Sequence, residues 1–562
     1  MIFAKVVSSL EKVRLKDSFE SLPELTKISA LKGERISFQL VYKYEYTEGK
    51  VGLWDRDNAH SEFSYEGEIT KYATFREVRN IGVAKPTLDR AFHDANYISK
   101  EPGLYPDVLE PIHGNGKRVT CAPHLLSSLW IDVEIPEDYA AGEYKIKLVL
   151  DAGEKKGKSE NEITIEVIDA ILPKQTLYYS QWFHCDCLAN YYNVEVWSER
   201  HWEIVENFAR VAHKNGINLL ITPLFTLPLD TAPGGERLTH QLVGVTKQGE
   251  EYSFDFTLLD RWIDMCDRIG IKYFEISHFF TQWGAHHAPK VMATVDGEYK
   301  KIFGWETEAT SDEYRTFLRT LIPEFLSHMK ARGDDKRCFF HISDEPSEEH
   351  LESYKAAKAI VEDLLEGYVI MDAISNYDFY AQGICQSPVP TNNHITPFIE
   401  NKVPNLWTYY CCSQVIGVSN RLVAMPSWRN RSIGYQMYKY DIVGFLQWGF
   451  NFYNNWWSLD PINPYIQQDG DCWVPAGDAF SVYPAQNGEA LEAIGLVVFH
   501  EALQDISAMK LCEEYYGKEK VVEVIEEFIG KNVTFETCAT SAAQILGMRE
   551  KINEMIKDKL SN

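Results

Sequence analysis

The sequence predicts an α/β chain: a (β/α)8 TIM-like barrel preceded by an all-β sandwich and followed by C-terminal helices. Three observations predict it. Polar and apolar residues alternate with period two through about residue 172, the mark of half-buried strands. Beyond Leu172-Pro-Lys, short apolar runs alternate with long amphipathic helical stretches, the rhythm of a parallel sheet wrapped by helices. The last stretch, from Ala490 to about Phe528 and from Ala539 to Leu560, is helical in pattern. At 562 residues the chain is long enough for more than one domain, at roughly 100–200 residues each. The expected division is 1–172 for the sandwich, 173–530 for the barrel, and 531–562 for a helical segment packed on the barrel.

In the first part the strands are Arg35-Ile-Ser-Phe-Gln-Leu-Val-Tyr, Trp130-Ile-Asp-Val-Glu-Ile, Tyr144-Lys-Ile-Lys-Leu-Val-Leu and Asn161-Glu-Ile-Thr-Ile-Glu-Val-Ile. Pro136 to Gly142 is a turn-rich link between two of them. Asp151 to Ser159 is a charged hairpin tip. It nearly spells a phosphate-binding loop, but Ala152 replaces the first glycine and a strand follows instead of a helix. In the barrel the expected strands begin at Tyr178, Ile217, Lys272, Arg337, Tyr368, Asn405 and Val443, with a weak sixth near Ile395. A doubly wound sheet is disfavoured, because the turn after the first strand, His184-Cys-Asp-Cys-Leu-Ala-Asn, has no glycine.

Composition narrows the partners. A net charge of −26 repels phosphate backbones and anionic lipid, so no nucleic-acid partner is expected. No run approaches the roughly 18 apolar residues of a membrane span, so no membrane insertion is expected. The N-terminus has only four apolar residues before charge sets in, short of the about 7–15 of a secretory signal. The eleven cysteines are an odd number scattered over a long chain. The expected setting is cytoplasmic, with reduced thiols and release by lysis as the other route to substrate. Oligomeric state is left open.

The chemistry concentrates at strand ends. The fourth strand runs into Asp344-Glu345-Pro346, and barrel enzymes place their reacting groups where strands exit. Pro346 stops the strand, and Ser347 with Glu348 and Glu349 suits the start of the next helix. Neighbouring strand residues point to opposite faces, so Asp344 and Glu345 share a pocket only if the strand has already broken there. A carboxylate pair is what glycoside cleavage needs: a proton donor at the leaving oxygen and a group that stabilises positive charge at the sugar. Where the sugar carries a 2-acetamido group, its own carbonyl oxygen can attack. One carboxylate then orients that amide, and the other is acid and base.

From Asn405 to Tyr483, 18 of 79 residues are aromatic, densest in Trp448-Gly-Phe-Asn-Phe-Tyr-Asn-Asn-Trp-Trp457, which reads as a stacking wall with amide donors for hydroxyls. Candidate substrate-binding residues are therefore Trp407, Tyr409, Trp448, Asn451, Trp457 and Asp478, joined by His184, His278, Trp283 and Asn376 at or beyond other strand exits. The phenol of Tyr409 suits an acetamido oxygen. His184-Cys-Asp-Cys187 has metal-ligand residue types but no second half, so neither a metal nor a cofactor is expected.

The chain resembles glycoside hydrolase family 123, bacterial β-N-acetylgalactosaminidases, in their clostridial-type form. The resemblance runs nearly end to end. It rests on the Pro136-to-Gly142 turn of the sandwich, on Ile342-Ser-Asp344-Glu345-Pro, and on the Trp448-to-Trp457 tract followed by Asp478-Ala-Phe-Ser-Val-Tyr-Pro. It implies a retaining, exo-acting, metal-free hydrolase that removes non-reducing-terminal β-linked N-acetylgalactosamine, for example from glycosphingolipid glycans, by substrate-assisted catalysis through an oxazoline-like intermediate. Glu345 would be the acid and base and Asp344 would orient the acetamido group, with Tyr409 and Trp448 in the pocket. A barrel glycosidase or hexosaminidase acting on another sugar, and a glycan-binding relative without activity, are the competing readings.

Overall fold

The structure is a computed structural model and describes residues 1–46, 57–88, 94–112 and 117–561. The chain has a mixed α/β fold, with antiparallel sheets first and a nearly closed eight-stranded parallel sheet after them.

Two five-stranded sheets face each other at the N-terminal end. One holds Ile2–Ser8, Arg35–Tyr44, Leu126–Glu134, Ala73–Val83 and Gly103–Pro111. The other holds Lys27–Lys32, Lys158–Ile171, Gly142–Asp151, Ala59–Glu66 and Arg118–Cys121. Alternation explains the core: Phe38, Leu40, Leu129, Ile131, Ile146, Leu148, Ile163 and Ile165 all point inward and pack together. Yet every residue of Arg35–Tyr44 is buried, on both faces. Its polar face lies against the rest of the chain, where the Arg35 backbone N–H donates to Gln504 Oε1 at 2.8 Å and Arg35 Nη2 donates to Asn215 Oδ1 at 2.7 Å.

Buried charge stitches the two halves. Arg76 pairs with Asp132 on its own sheet and with Glu492 from the C-terminal half. Arg76, Asp132 and Glu492 are each nearly sealed from solvent. Truncating one member of such a group strands the others in a poorly polarisable interior. Arg76→Ala is expected to cost about 3–5 kcal/mol, read as a lowered denaturant midpoint. A loss below about 1 kcal/mol, the range of an exposed pair, would show that the link is dispensable.

The parallel strands are β1 (Tyr178–Gln181), β2 (Leu219–Thr222), β3 (Tyr273–Ile276), β4 (Cys338–Phe340), β5 (Val369–Asp372), β6 (Ser387–Pro388), β7 (Trp407–Tyr409) and β8 (Gly444–Gln447). Their order around the sheet is β6-β5-β4-β3-β2-β1-β8-β7. Between β6 and β7 the join is a single bridge, Thr391 with Tyr409, supported by Asn392 N–H to Tyr409 O at 2.8 Å. The weak sixth strand therefore lies at Ser387–Pro388 and not near Ile395, which instead precedes the short helix Thr396–Glu400. Pro388 and Pro390 each lack an N–H, so this edge makes few ladder bonds and carries no strand periodicity.

Alternate residues fill the interior in layers. Tyr178, Tyr273, Phe339 and Trp407 meet ring on ring near the strand starts. Two residues further on, Ser180 and His341 both reach Glu275. The opposite parity packs outward, as where Tyr179 stacks on Phe499. Ala490–Glu492, expected to be helical, is a short strand paired with Val482–Pro484, and the helices that follow are Ile494–Tyr516, Lys518–Ile529 and Ala542–Ser561. The last helix bridges both halves: it packs on the preceding two helices, and its Glu550 and Arg549 reach Ser29 and Glu34 in the sandwich. Among the described residues, no helix is long and apolar enough to cross a membrane.

Candidate active site

A pocket of about 670 Å³ opens where the parallel strands exit. Asp344 and Glu345 both line it. Regular extension would send them to opposite faces, but β4 ends at Phe340 and Glu345 takes a left-handed φ of 42°, a conformation that costs energy in any residue but glycine. The turn is held from the side. Beyond β3 the chain runs along the segment after β4, with Phe280 N–H to Ile342 O at 3.0 Å, Trp283 N–H to Asp344 O at 2.9 Å, and Ser343 Oγ to Thr281 O at 2.8 Å.

The Tyr409 hydroxyl donates to Glu345 Oε1 at 2.5 Å. The Asp344 carboxylate has no hydrogen bond among the described residues and faces the cavity. Burial and the neighbouring Glu345 charge push the Asp344 carboxyl well above the usual carboxylate range, against the pull of His341. Burial raises Glu345 too, and the Tyr409 bond draws it back. Glu345 is exposed to solvent through the pocket mouth, so its upward push is less than a sealed site would give.

Asp230, from the loop after β2, is a third carboxyl on the wall. It too has a left-handed φ, 49°, and its carboxylate has no hydrogen bond among the described residues. Burial, reinforced by Glu345 and Asp478 and opposed by Arg237, pushes it up to about 8. Asp478 sits just behind the wall, fully buried, and accepts from Trp448 Nε1 at 3.1 Å. Burial takes it up to about 7 against the pull of Arg421. Among the described residues, no Lys or Arg lines this pocket. Acids gathered this closely cannot all ionise together, so the pocket holds protons near neutral pH.

His184 lines the pocket but is committed elsewhere. Arg237 Nη2 donates to its Nδ1 at 3.1 Å, so its Nε2–H donates to Trp448 O at 3.1 Å. Burial and the Arg237 charge hold it down to about 3, a neutral ring with both nitrogens occupied. Arg237 in turn grips Asp186 with bonds of 2.8 and 2.7 Å. The ligand-like residue types of His184-Cys-Asp-Cys187 thus serve an ion pair and a helix start.

Beneath the pair lies a polar network in the interior. His341 reaches Glu275 at 2.8 Å and Asp372 at 3.1 Å. Burial disfavours its charge, but these two bonds carry it up to about 10. Trp182 Nε1 donates to Glu275 at 2.6 Å, and the Tyr354 hydroxyl donates to Asp372 at 2.6 Å. His278, His341 and Asp372 could offer a cation ligand atoms within 4.8 Å of one another, the one such trio among the described residues. Both nitrogens of His341 are already paired with carboxylates, so the trio reads first as an ion-pair network.

Of the expected substrate-binding residues, His184, Trp283, Tyr409 and Trp448 line the pocket. The others do not. His278 is buried below it, stacked on His341 at 4.3 Å. Trp407 points inward like Tyr409 but two residues earlier, one layer too deep, flat against Tyr178 at 5.6 Å. Asn376 accepts from the Asp378 N–H at 2.9 Å in its own turn. Asn451 clamps the His184 backbone with bonds of 2.9 and 3.0 Å. Asp478 supports Trp448 from behind, and Trp457 stands outside the wall, paired with Trp456 at 4.6 Å. Unforeseen wall residues are Asp230, Trp182, Gln282, Cys411, Cys412 and Trp473. Trp182 was within reach of sequence reading, since it directly follows β1, and so were the two cysteines, two and three residues past β7.

Carboxyls set among Trp182, Trp283, Trp448 and Trp473 can protonate a leaving oxygen and stabilise positive charge on a ring stacked between aromatic faces. Comparison with known proteins agrees with that chemistry. The family profile described as glycoside hydrolase 123, catalytic domain, matches residues 182–512, well over half of the chain. No curated protein matches the sequence. Among solved structures, a family 123 glycoside hydrolase from Clostridium perfringens, studied for glycolipid glycan hydrolysis, aligns with a TM-score of 0.72 at 16% identity, over 100% of this chain and 98% of its own. At that identity it establishes a common fold. A Parabacteroides merdae β-glucuronidase aligns with a TM-score of only 0.29 at 9% identity, over 89% of this chain and 52% of its own, too remote to carry any argument. The chain belongs to glycoside hydrolase family 123.

Proposed function

We propose that this hydrolase removes non-reducing-terminal β-linked N-acetylgalactosamine from oligosaccharide or glycolipid glycans, with retention, using the sugar's own acetamido group as nucleophile. The observation that carries the reading is that Asp344 and Glu345 line one pocket with aromatic walls, and of the two only Glu345 is held by a phenol. Glu345, protonated, gives its proton to the glycosidic oxygen as the C1–O bond breaks. The acetamido carbonyl oxygen attacks C1 from the opposite face. The two neighbouring carboxyls share one proton, and in the reactive state it sits on Glu345; Asp344, then ionised, accepts the amide N–H and offsets the positive charge of the oxazoline-like ring. Glu345, now a carboxylate, takes a proton from water as the water opens that ring, and two inversions give net retention. Asp230 accepts from ring hydroxyls, and Trp448, fixed by Asp478, offers an apolar face. The sandwich of residues 1–172 braces the barrel of residues 173–530.

Aryl β-glycosides of N-acetylgalactosamine, N-acetylglucosamine and galactose test this directly. N-acetylgalactosaminide should be cleaved fastest, with the β-anomer as first product, and galactoside should be inert. Equal cleavage of galactoside, which has no amide, would sink the mechanism. A preference for N-acetylglucosaminide would move the enzyme to another substrate.

The Tyr409 bond gives a pH prediction. A donor to the ionised carboxylate lowers its pKa. Tyr409→Phe removes that donor, so the Glu345 carboxyl rises further and stays protonated to higher pH. The basic limb of kcat/KM should move upward, while kcat falls by about tenfold. An unmoved limb would separate Tyr409 from the titrating acid.

A further inference from the structure

Trp456 is the one tryptophan among the described residues that is largely exposed, at 52% of its surface. It stands in the loop after β8 with its ring 4.6 Å from Trp457, and Leu459 and Ile466 in the same loop are 65% and 72% exposed. Exposed apolar residues gathered on one loop mark a contact surface more often than scattered ones do. The backbone here is also held in an unfavourable shape. Trp457 and Ser458 are consecutive non-glycine residues with φ of 60° and 53°, a conformation that persists only where surroundings enforce it. The enforcing bonds run to the pocket wall: Ser458 Oγ donates to Asp230 O at 2.8 Å, and Ala232 N–H donates to Trp457 O at 3.0 Å. Asp230 lines the pocket beside Glu345, whose charge it feels. The loop is thus anchored to the pocket wall while its tryptophan faces water.

We propose that Trp456 is the platform on which the first sugar ring of the leaving group stacks, a binding subsite outside the pocket that holds the terminal sugar. This rests on the glycosidase reading and extends it: the preferred substrate is an oligosaccharide, with a pyranose carrying an apolar face next to the bond that breaks. A sugar is favoured over an anionic lipid surface as the occupant, because the chain carries a net charge of −26 and the loop is bonded to the pocket wall at Asp230.

The test compares wild type, Trp456→Ala and Trp456→Phe in the full chain on two substrates. One is the β-glycosyl azide of N-acetylgalactosamine, whose leaving group has no ring. The other is a free disaccharide with the same sugar β-linked to galactose. Trp456→Ala should lower kcat/KM about tenfold or more on the disaccharide and by less than about twofold on the azide, and Trp456→Phe should keep most of the activity. Equal losses on both substrates, or no loss on the disaccharide, would overturn the subsite. So would a loss confined to glycolipid in neutral vesicles with the free disaccharide unaffected, which would make the loop a lipid contact. A wild type that cleaves neither substrate would fail the glycosidase reading itself, and the subsite with it.

Discussion

Asp344→Asn should lower kcat/KM by about a thousandfold, on natural glycans and activated aryl glycosides alike. The side chain keeps its shape and loses its charge. In the wild type that carboxylate has no hydrogen bond among the described residues and faces the cavity, so it is free to accept an amide N–H from the substrate. As the acetamido oxygen closes on C1, positive charge spreads onto the amide nitrogen, and a negative group already in place offsets it with little reorganisation. A better leaving group cannot replace that role, because the amide must attack whatever leaves. The fold should survive, since Asp344 joins its surroundings through its backbone, accepting from the Trp283 N–H at 2.9 Å. Steady-state kinetics on both substrate types with a thermal melt would check this. A loss below about tenfold on either substrate would remove Asp344 from the reaction.

Glu345→Gln should behave differently. Proton donation matters in proportion to the basicity of the leaving oxygen, and a positioned acid contributes about 10²–10⁴-fold. The variant should lose a factor in that range on a disaccharide and much less on a dinitrophenyl glycoside. Its pH profile should change as well. Burial raises the Glu345 carboxyl, so the wild-type acid stays protonated above the ordinary carboxylate range and the basic limb of kcat/KM lies correspondingly high. With glutamine there is no proton to lose, and that limb should vanish on the activated substrate. Equal losses on both substrates would assign Glu345 a role other than proton transfer.

Much of this site was legible in the sequence, because strand exits and carboxylate pairs are local features. Seven of the eight parallel strands lie within the runs expected for them, and the Asp344-Glu345 step follows β4 as its position before Pro346 implied. What one strand cannot reveal is depth. Trp407 and Tyr409 share a parity and both point inward, yet one rests on the barrel floor and the other on Glu345. Asn451 and Asp478 have residue types that suit a sugar hydroxyl, but distant segments bury them, and they spend their bonds on His184 and Trp448. Asp230 escaped notice because it lies eight residues beyond β2, in a loop without periodicity. The left-handed turn at Glu345 was unreadable as well: no glycine or asparagine marks it, and bonds from the segment after β3 accompany it. The sixth strand was misplaced because two prolines erase its alternation.

The most direct measurement of amide participation is calorimetric binding of the bicyclic thiazoline of N-acetylgalactosamine, which mimics the closed intermediate, against free N-acetylgalactosamine. The thiazoline should bind wild type at least about 100-fold more tightly than the sugar, and Asp344→Asn should erase most of that advantage. A thiazoline that binds no better than the sugar itself would contradict a mechanism in which the substrate's amide attacks.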